Sequence, residues 1–379
     1  MKKHRFCPNP ACALHMPPKE GEYPPFYIRK GFYHTHVVGR VQKYQCKHCG
    51  KFFGDRTFKL DYFTKKSLSY NEIEHDHAAS ATVYSMARKH KCSSASIQNR
   101  MDRFARNSLG MLCLLHENLD LREDLVADGF ESFDCSQYFP NNINLMLGEE
   151  SQYVYGTTHC TLRRKGRMTA EQKARRKELE KIFKAKPTAI RDSFAEALKS
   201  ASALWNEKTK DSLRLITDKH KAYPLAIHQI TPLVDAMHRG VFVHETHSSK
   251  IPRTIQNPLF SANYYDREIR KDLANHHRES KCFTRNVANG LMRLTVYIHY
   301  HNFLKPFRVK WTGHKEIKHS TIAGIDPAQV ARLHKNFYTE RIFITHLKLT
   351  PEQERIWLKG NRTPLKQGGE YVPRYARGL

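Results

Sequence analysis

The chain has 379 residues, 40% hydrophobic and 11% aromatic, which leaves room for two or three folded domains and excludes wholesale disorder. Lys and Arg number 64 against 37 Asp and Glu, a formal charge of +27. A surplus of that size repels itself in a compact state and points to a polyanionic partner, nucleic acid before an anionic membrane surface. No apolar run is long enough to cross a bilayer and no apolar core follows the first lysines, so no membrane partner is expected and the expected location is the cytoplasm, with the nucleoid.

Nine cysteines without an export signal read as reduced thiols or metal ligands. Cys7 and Cys12 form one pair in "CPNPAC", and Cys46 and Cys49 form another in "CKHCGKFF". The aromatic and β-branched stretch between them predicts a zinc ribbon over residues 1–58, each loop presenting two thiolates to one tetrahedral Zn²⁺. That ion is structural, because four thiolates leave no open position. His4, His15 and His48 are close enough in sequence for one to replace a cysteine. The cysteines at 92, 113, 135, 160 and 282 are expected to be buried thiols.

Residues 59–110 predict two helices with a polar turn near "KHKCSS", Ser93 or Ser94 capping the second. Ile97, Met101, Phe104 and Ser108 share one face of it. Gln98, Asn99, Arg100, Arg103 and Arg106 point elsewhere, which fits a helix-turn-helix whose later helix enters the DNA major groove. A separate linker helix is expected at "LGMLCLLHENL", before a domain spanning 118–310.

That domain opens on "LVADGFESF", "NNINLMLG" and "SQYVYGTTHCTL", three β-prone runs that predict an antiparallel meander. Asp128-Gly129 reads either as a tight turn or as a strand carrying a metal ligand. Two charged helical stretches follow, then the strand "SLRLITD", where Asp218 either caps the next helix or ligates metal. In "NPLFSANYYDREIRKDL", Asn263, Asp266, Arg267 and Arg270 fall on one helical face, while Glu268 is expected to be an exposed partner of Lys271. A strand aspartate, a second at a strand end and a polar helix beyond are how RNase H-like nucleases hold two Mg²⁺ or Mn²⁺ ions. The expected fold class is therefore mixed α/β.

Taken in order, "CPNPAC…CKHCGKFF", "ADGFESF", "LITDKHKAYP", "NPLFSANYYDREIRKDL", "HHRESKCFTRN" and "HNFLKPFR" resemble bacterial insertion-sequence transposases of the DDE group, in the branch with an N-terminal zinc ribbon related to Merlin-type elements. The resemblance spans about residues 5 to 308. It implies an RNase H-like catalytic domain with Asp128 and Asp218 as the first two ligands. The third position, usually Glu, is Asn263 here, seven residues before Arg270; Asp266 is the alternative. It further implies strand cleavage at transposon ends followed by attack of the freed 3′-hydroxyl on target DNA, with Arg270 near a phosphate. Double-stranded DNA ends would be recognised by the ribbon and the helix-turn-helix, and a homodimer or larger assembly would bring two ends together. The rival readings are a DNA-binding regulator with an inert nuclease-like domain, and a nuclease that cuts without joining. Residues 311–379 are expected to be a helical basic extension ending in a flexible tail.

Overall fold

The computed structural model describes residues 6–16, 25–277, 282–308 and 316–378. The chain is mixed α/β, with two sheets and twelve helices among the described residues. His4 and part of "HHRESKCFTRN" lie outside them.

β1 (Tyr27–Thr35), β2 (Gly39–Cys46) and β3 (Phe52–Gly54) form an antiparallel three-stranded sheet. Its small core is Phe26, Tyr44 and Phe53 with Cys7, Cys12 and Cys46. Three helices follow: α1 (Tyr70–Ala78), α2 (Val83–Lys89) and α3 (Ser94–His116). Each starts on a hydroxyl cap, where Ser69, Thr82 and Ser93 accept the N–H three residues on. α3 runs unbroken for 23 residues, so the expected linker helix is its second half and the boundary at 110 falls inside it. Leu109, Met111, Leu112 and Leu115 continue the apolar face begun by Ile97, Met101 and Phe104, and nothing in between breaks the helix.

β4 (Leu125–Phe133), β5 (Pro140–Gly148) and β6 (Val154–Thr161) form the expected antiparallel meander. After α4 (Ala170–Glu180) and α5 (Ala189–Ser202), the chain adds β7 (Leu213–Asp218) parallel to β4. α6 (Ala222–Ile227) and α7 (Thr231–His238) lead to β8 (Phe242–His247), parallel to β7. The strand order is β6-β5-β4-β7-β8, which puts β4 at the centre. Val126, Ala127, Leu145, Leu215 and Ile216 are wholly buried there, as a strand covered on both faces requires.

α8 (Phe260–Asp272) crosses β4 and β5, and α9 (Val287–His299) packs mainly along α3, continuing into a π-helical turn. That turn docks on the sheet edge through Asn302, whose side chain accepts the Val154 N–H at 3.0 Å and donates to the Val154 carbonyl at 3.1 Å.

α10 (His319–Ile322), α11 (Pro327–His334) and α12 (Pro351–Trp357) belong to a C-terminal strap folded back over the molecule. Trp357 is buried and donates to the Ala376 carbonyl at 2.7 Å; Thr345 Oγ1 lies 2.6 Å from His15 Nε2. The expectation of a flexible tail is therefore overturned. Val372 and Ala376 are buried and Tyr375 lies under Arg103 at 4.6 Å, so a few residues of a Gly- and Arg-rich sequence fasten the end to the core.

Candidate functional site

The four N-terminal cysteines converge. Their sulfurs all lie within 4.8 Å of one another, with Cys7–Cys49 at 3.7 Å and Cys12–Cys46 at 3.9 Å. Tetrahedral Zn–S bonds of about 2.3 Å put sulfurs about 3.8 Å apart, so the set fits zinc without rearrangement. Gly50, at φ +71°, lets the Cys46–Cys49 loop turn back so that its N–H reaches the Cys46 carbonyl at 3.0 Å. The Leu14 N–H points at Cys12 Sγ from 3.4 Å. His15 does not join the sulfurs, since its Nδ1 lies 2.7 Å from the Cys7 carbonyl while Nε2 faces the strap. His48 is exposed, its Nδ1 3.6 Å from Cys12 Sγ, and the four cysteines already complete the tetrahedron. Burial pushes the Cys7 and Cys12 thiols up, while hydrogen bonds from Asn9 and Lys51 outweigh burial at Cys49 and hold it down at about 6.

Asp128 and Asp218 are brought to neighbouring strands. The parallel register pairs Leu125 with Leu215, Val126 with Ile216 and Ala127 with Thr217; one further step sets Asp128 beside Asp218. Asp128-Gly129 is mid-strand, so the turn reading is overturned. Gly129 is needed for a different reason: a Cβ there would sit 1.9 Å from Asn142 Nδ2 on β5. Asp128 Oδ1 accepts the Gly129 N–H at 2.7 Å, and Asp218 Oδ1 accepts the His220 N–H at 2.9 Å. Both aspartates are half-buried at the end of the sheet where β7 stops.

α8 supplies the third side of this site. Burial, then the Asp128 charge, raises the Asp266 carboxyl to about 8, against the pull of Arg270 and Arg253. Asp266 Oδ1 is shut off from solvent without a hydrogen-bond partner. Asp128 itself rises to about 6, through burial and the charges of Asp218 and Glu131, opposed by the Gly129 N–H. The buried Tyr223 hydroxyl is pushed up by burial and then by the charges of Asp128, Asp218, Glu131 and Asp266. Asn263 lies a turn earlier on α8 and donates its side-chain N–H to the Leu259 carbonyl at 3.0 Å, inside its own helix. Arg270 stacks over Phe130 at 4.7 Å and reaches the Glu131 carbonyl at 3.2 Å. Among the described residues no second group of three or more Cys, His, Asp or Glu ligand atoms gathers as tightly as the cysteines. The carboxylates are a looser pocket of uncompensated negative charge, with an orphaned oxygen, which suits a hard divalent cation.

Glu268 pairs with Lys271 at 2.7 Å as expected, yet it is buried, because Lys305 also closes over it. Sequence reasoning missed Glu131, Tyr223 and Arg253. Tyr223 alone carried a signal, five residues beyond Asp218 in "KAYP".

The groove-reading residues need correction. Arg100, Arg103 and Arg106 are only 4%, 5% and 4% exposed. Arg100 donates to the Lys66 carbonyl, Arg103 to the Leu60 carbonyl and Arg106 to the Trp357 carbonyl, the latter two at 2.9 Å. Gln98 is spent on Asp102 at 2.8 Å, and Asn99 accepts from Arg103 at 2.9 Å. Strap and preceding loop cover the face that the helical pattern left outside, so these five side chains hold the fold together. No family model and no curated protein matches the chain.

Proposed function

We propose that the chain is a DNA transposase with a zinc ribbon and an RNase H-like catalytic domain, acting on phosphodiester bonds with Mg²⁺ or Mn²⁺. The observation that carries this reading is the convergence of Asp128 and Asp218 from adjacent parallel strands, with Asp266 facing them from α8. Bound divalent ions would activate the attacking oxygen and offset charge on the leaving one. Asp128, Asp218 and Asp266 are the residues that would hold them. Asp266 is favoured over Asn263 because it brings an unpaired carboxylate oxygen to the pocket, whereas Asn263 offers only a neutral carbonyl oxygen. Arg253 and Arg270, whose charges already act on Asp266, would receive the phosphate next to the scissile bond.

The cysteine cluster fits a structural Zn²⁺ that fixes the N-terminal sheet. The +27 charge suits duplex DNA as substrate, and joining two ends calls for two copies of the chain. The test is incubation of wild type and Asp128→Asn with paired element-end DNA and Mg²⁺. Nicking and strand joining by wild type alone support the reading. Equal activity of both proteins removes the site assignment, and sequence-specific binding without cleavage by either would make the chain a regulator.

A further inference from the structure

A second feature of the molecule lies far in sequence from the carboxylates. A cleft of about 1220 Å³ opens between the cysteine-bearing sheet, the loop after it, α3 and the C-terminal strap. Its accessible charged lining is Lys43, Lys51, Arg341, Arg374 and Arg377, with the buried Arg103 behind them, against Glu370 alone, and Glu370 is already paired with Lys366. Three aromatic rings at this cleft are turned to solvent: Phe52 is 51% exposed, Phe63 77% and Tyr371 81%. Folding ordinarily hides such rings.

Phe63 is presented with effort. It stands at φ +60°, a conformation costly for a bulky side chain. The turn is held by Arg56, whose guanidinium donates to the Asp61 carbonyl at 3.2 Å and the Thr64 carbonyl at 3.1 Å, its two ends. Tyr62 lies beside Phe63 with ring centroids 4.3 Å apart, and Arg341 stacks over Tyr62 at 4.9 Å. Lys43 sits over the Phe52 ring at 4.1 Å. Cations therefore lie against the aromatic rings of the cleft, and Phe52, Phe63 and Tyr371 keep much of their surface exposed.

We infer that this cleft binds a single-stranded segment of DNA, its bases stacking on Phe63, Phe52 and Tyr371 and its phosphates meeting the surrounding Lys and Arg. A duplex keeps its base faces stacked on one another and offers only edges, so it has no use for the open rings. An acidic peptide would pair with the cations and leave Phe63 and Tyr371 unused. The inference stands apart from the proposed chemistry, since it needs neither the carboxylates nor a divalent ion.

The test is fluorescence anisotropy of the full chain with labelled oligo-dT of twelve nucleotides and a duplex of the same length, in buffer without Mg²⁺. Phe63→Ala and Tyr371→Ala should each weaken oligo-dT binding about ten-fold and leave binding of the duplex unchanged. Both rings are exposed, so circular dichroism should not change. Phe63→Trp should keep the affinity, and its added emission should be quenched when oligo-dT binds. Affinities for oligo-dT left unchanged by both alanine variants, duplex affinities that fall as much as those for oligo-dT, a Phe63→Trp emission indifferent to oligo-dT, or displacement by polyglutamate at the same charge concentration as by unlabelled oligo-dT would each overturn the inference.

Discussion

The cysteine cluster and the carboxylate pocket are built in opposite ways. The four sulfurs come from two short loops and already stand at the separations a tetrahedral ion demands. The carboxylates come from β4, β7 and α8, and what unites them is the charge they all exert on Tyr223. A structural ion is part of the fold, so its ligands are set by local backbone geometry. A site meant for exchangeable hard cations tolerates looser ligands that keep water, and its cost is charge left uncompensated until the cation arrives.

The largest effect should come from the tighter set. With zinc held by the four cysteines, Cys46→Ser removes one of its ligands, so zinc content should fall from about one per chain to near zero. The melting temperature should drop by about 10 °C or more, because His15 and Thr345 tie this sheet to the strap. Mass-spectrometric zinc determination beside calorimetry checks both. A variant that keeps its zinc and its stability would mean the sulfurs are merely neighbours.

On the looser set the loss should appear in activity, with stability intact. Asp128→Asn should lower Mg²⁺-dependent nicking of element-end DNA about a thousand-fold or more, with little change in melting temperature. The helix ligand is separable in the same assay: Asp266→Ala should cost about a hundred-fold and Asn263→Ala less than about ten-fold. The reverse order would hand the third position to Asn263.

How far each region could be read from sequence follows from the same contrast. Spacing alone located the cysteines, because two short loops and a hairpin need no distant information. The meander and the strand ending at Asp218 were legible from apolar alternation, whereas the pairing of Asp128 with Asp218 came with the resemblance to RNase H-like nucleases. Asp128-Gly129 misled as a turn signal because the reason for Gly129, the approach of Asn142 across the strands, is tertiary. The arginines of α3 misled more. A helical wheel shows which face is polar but not that residues 337–376 return to cover it, so Arg103 and Arg106 read as a groove-binding face when their partners are the Leu60 and Trp357 carbonyls. Glu268 failed likewise, Lys305 being 37 residues away.

Acid should weaken the packed helical region that joins the two sites. Burial holds His77, His116, His319 and His334 down at about 4 and His276 at about 3, each neutral in the folded chain. Their folded values lie below the unfolded one, so the unfolded state takes up protons first as pH falls. Stability is present above about pH 6.5 and is lost between there and about pH 4. His159, raised by Asp134 against burial, and the raised carboxyls of Asp128 and Asp266 run the other way, three groups against these five. The melting temperature should be at least about 5 °C lower at pH 5 than at pH 7 in differential scanning calorimetry. A flat profile would mean these imidazoles reach water.

The smallest effect bears most directly on the contrast. Asp266 has its folded value near 8 against 3.8 in an ordinary carboxylate, so at neutral pH it resists the charge that the unfolded chain carries freely. Folding is therefore opposed increasingly as pH rises from about 4 towards 8. Asp266→Asn removes the repulsion with Asp128 and should raise the melting temperature by about 2–4 °C at pH 7.5 without divalent ions. At pH 4 the two proteins should melt together. Millimolar Mg²⁺ should then raise wild type towards the variant and leave the variant unmoved, because only wild type has the carboxylate whose charge the cation offsets. The cysteine set admits no such substitution, since every thiolate there is already committed to geometry. A wild type indifferent to Mg²⁺ at pH 7.5 would show that the buried Asp266 oxygen faces packing instead of a cation, and would leave the acidic pocket a strained piece of fold.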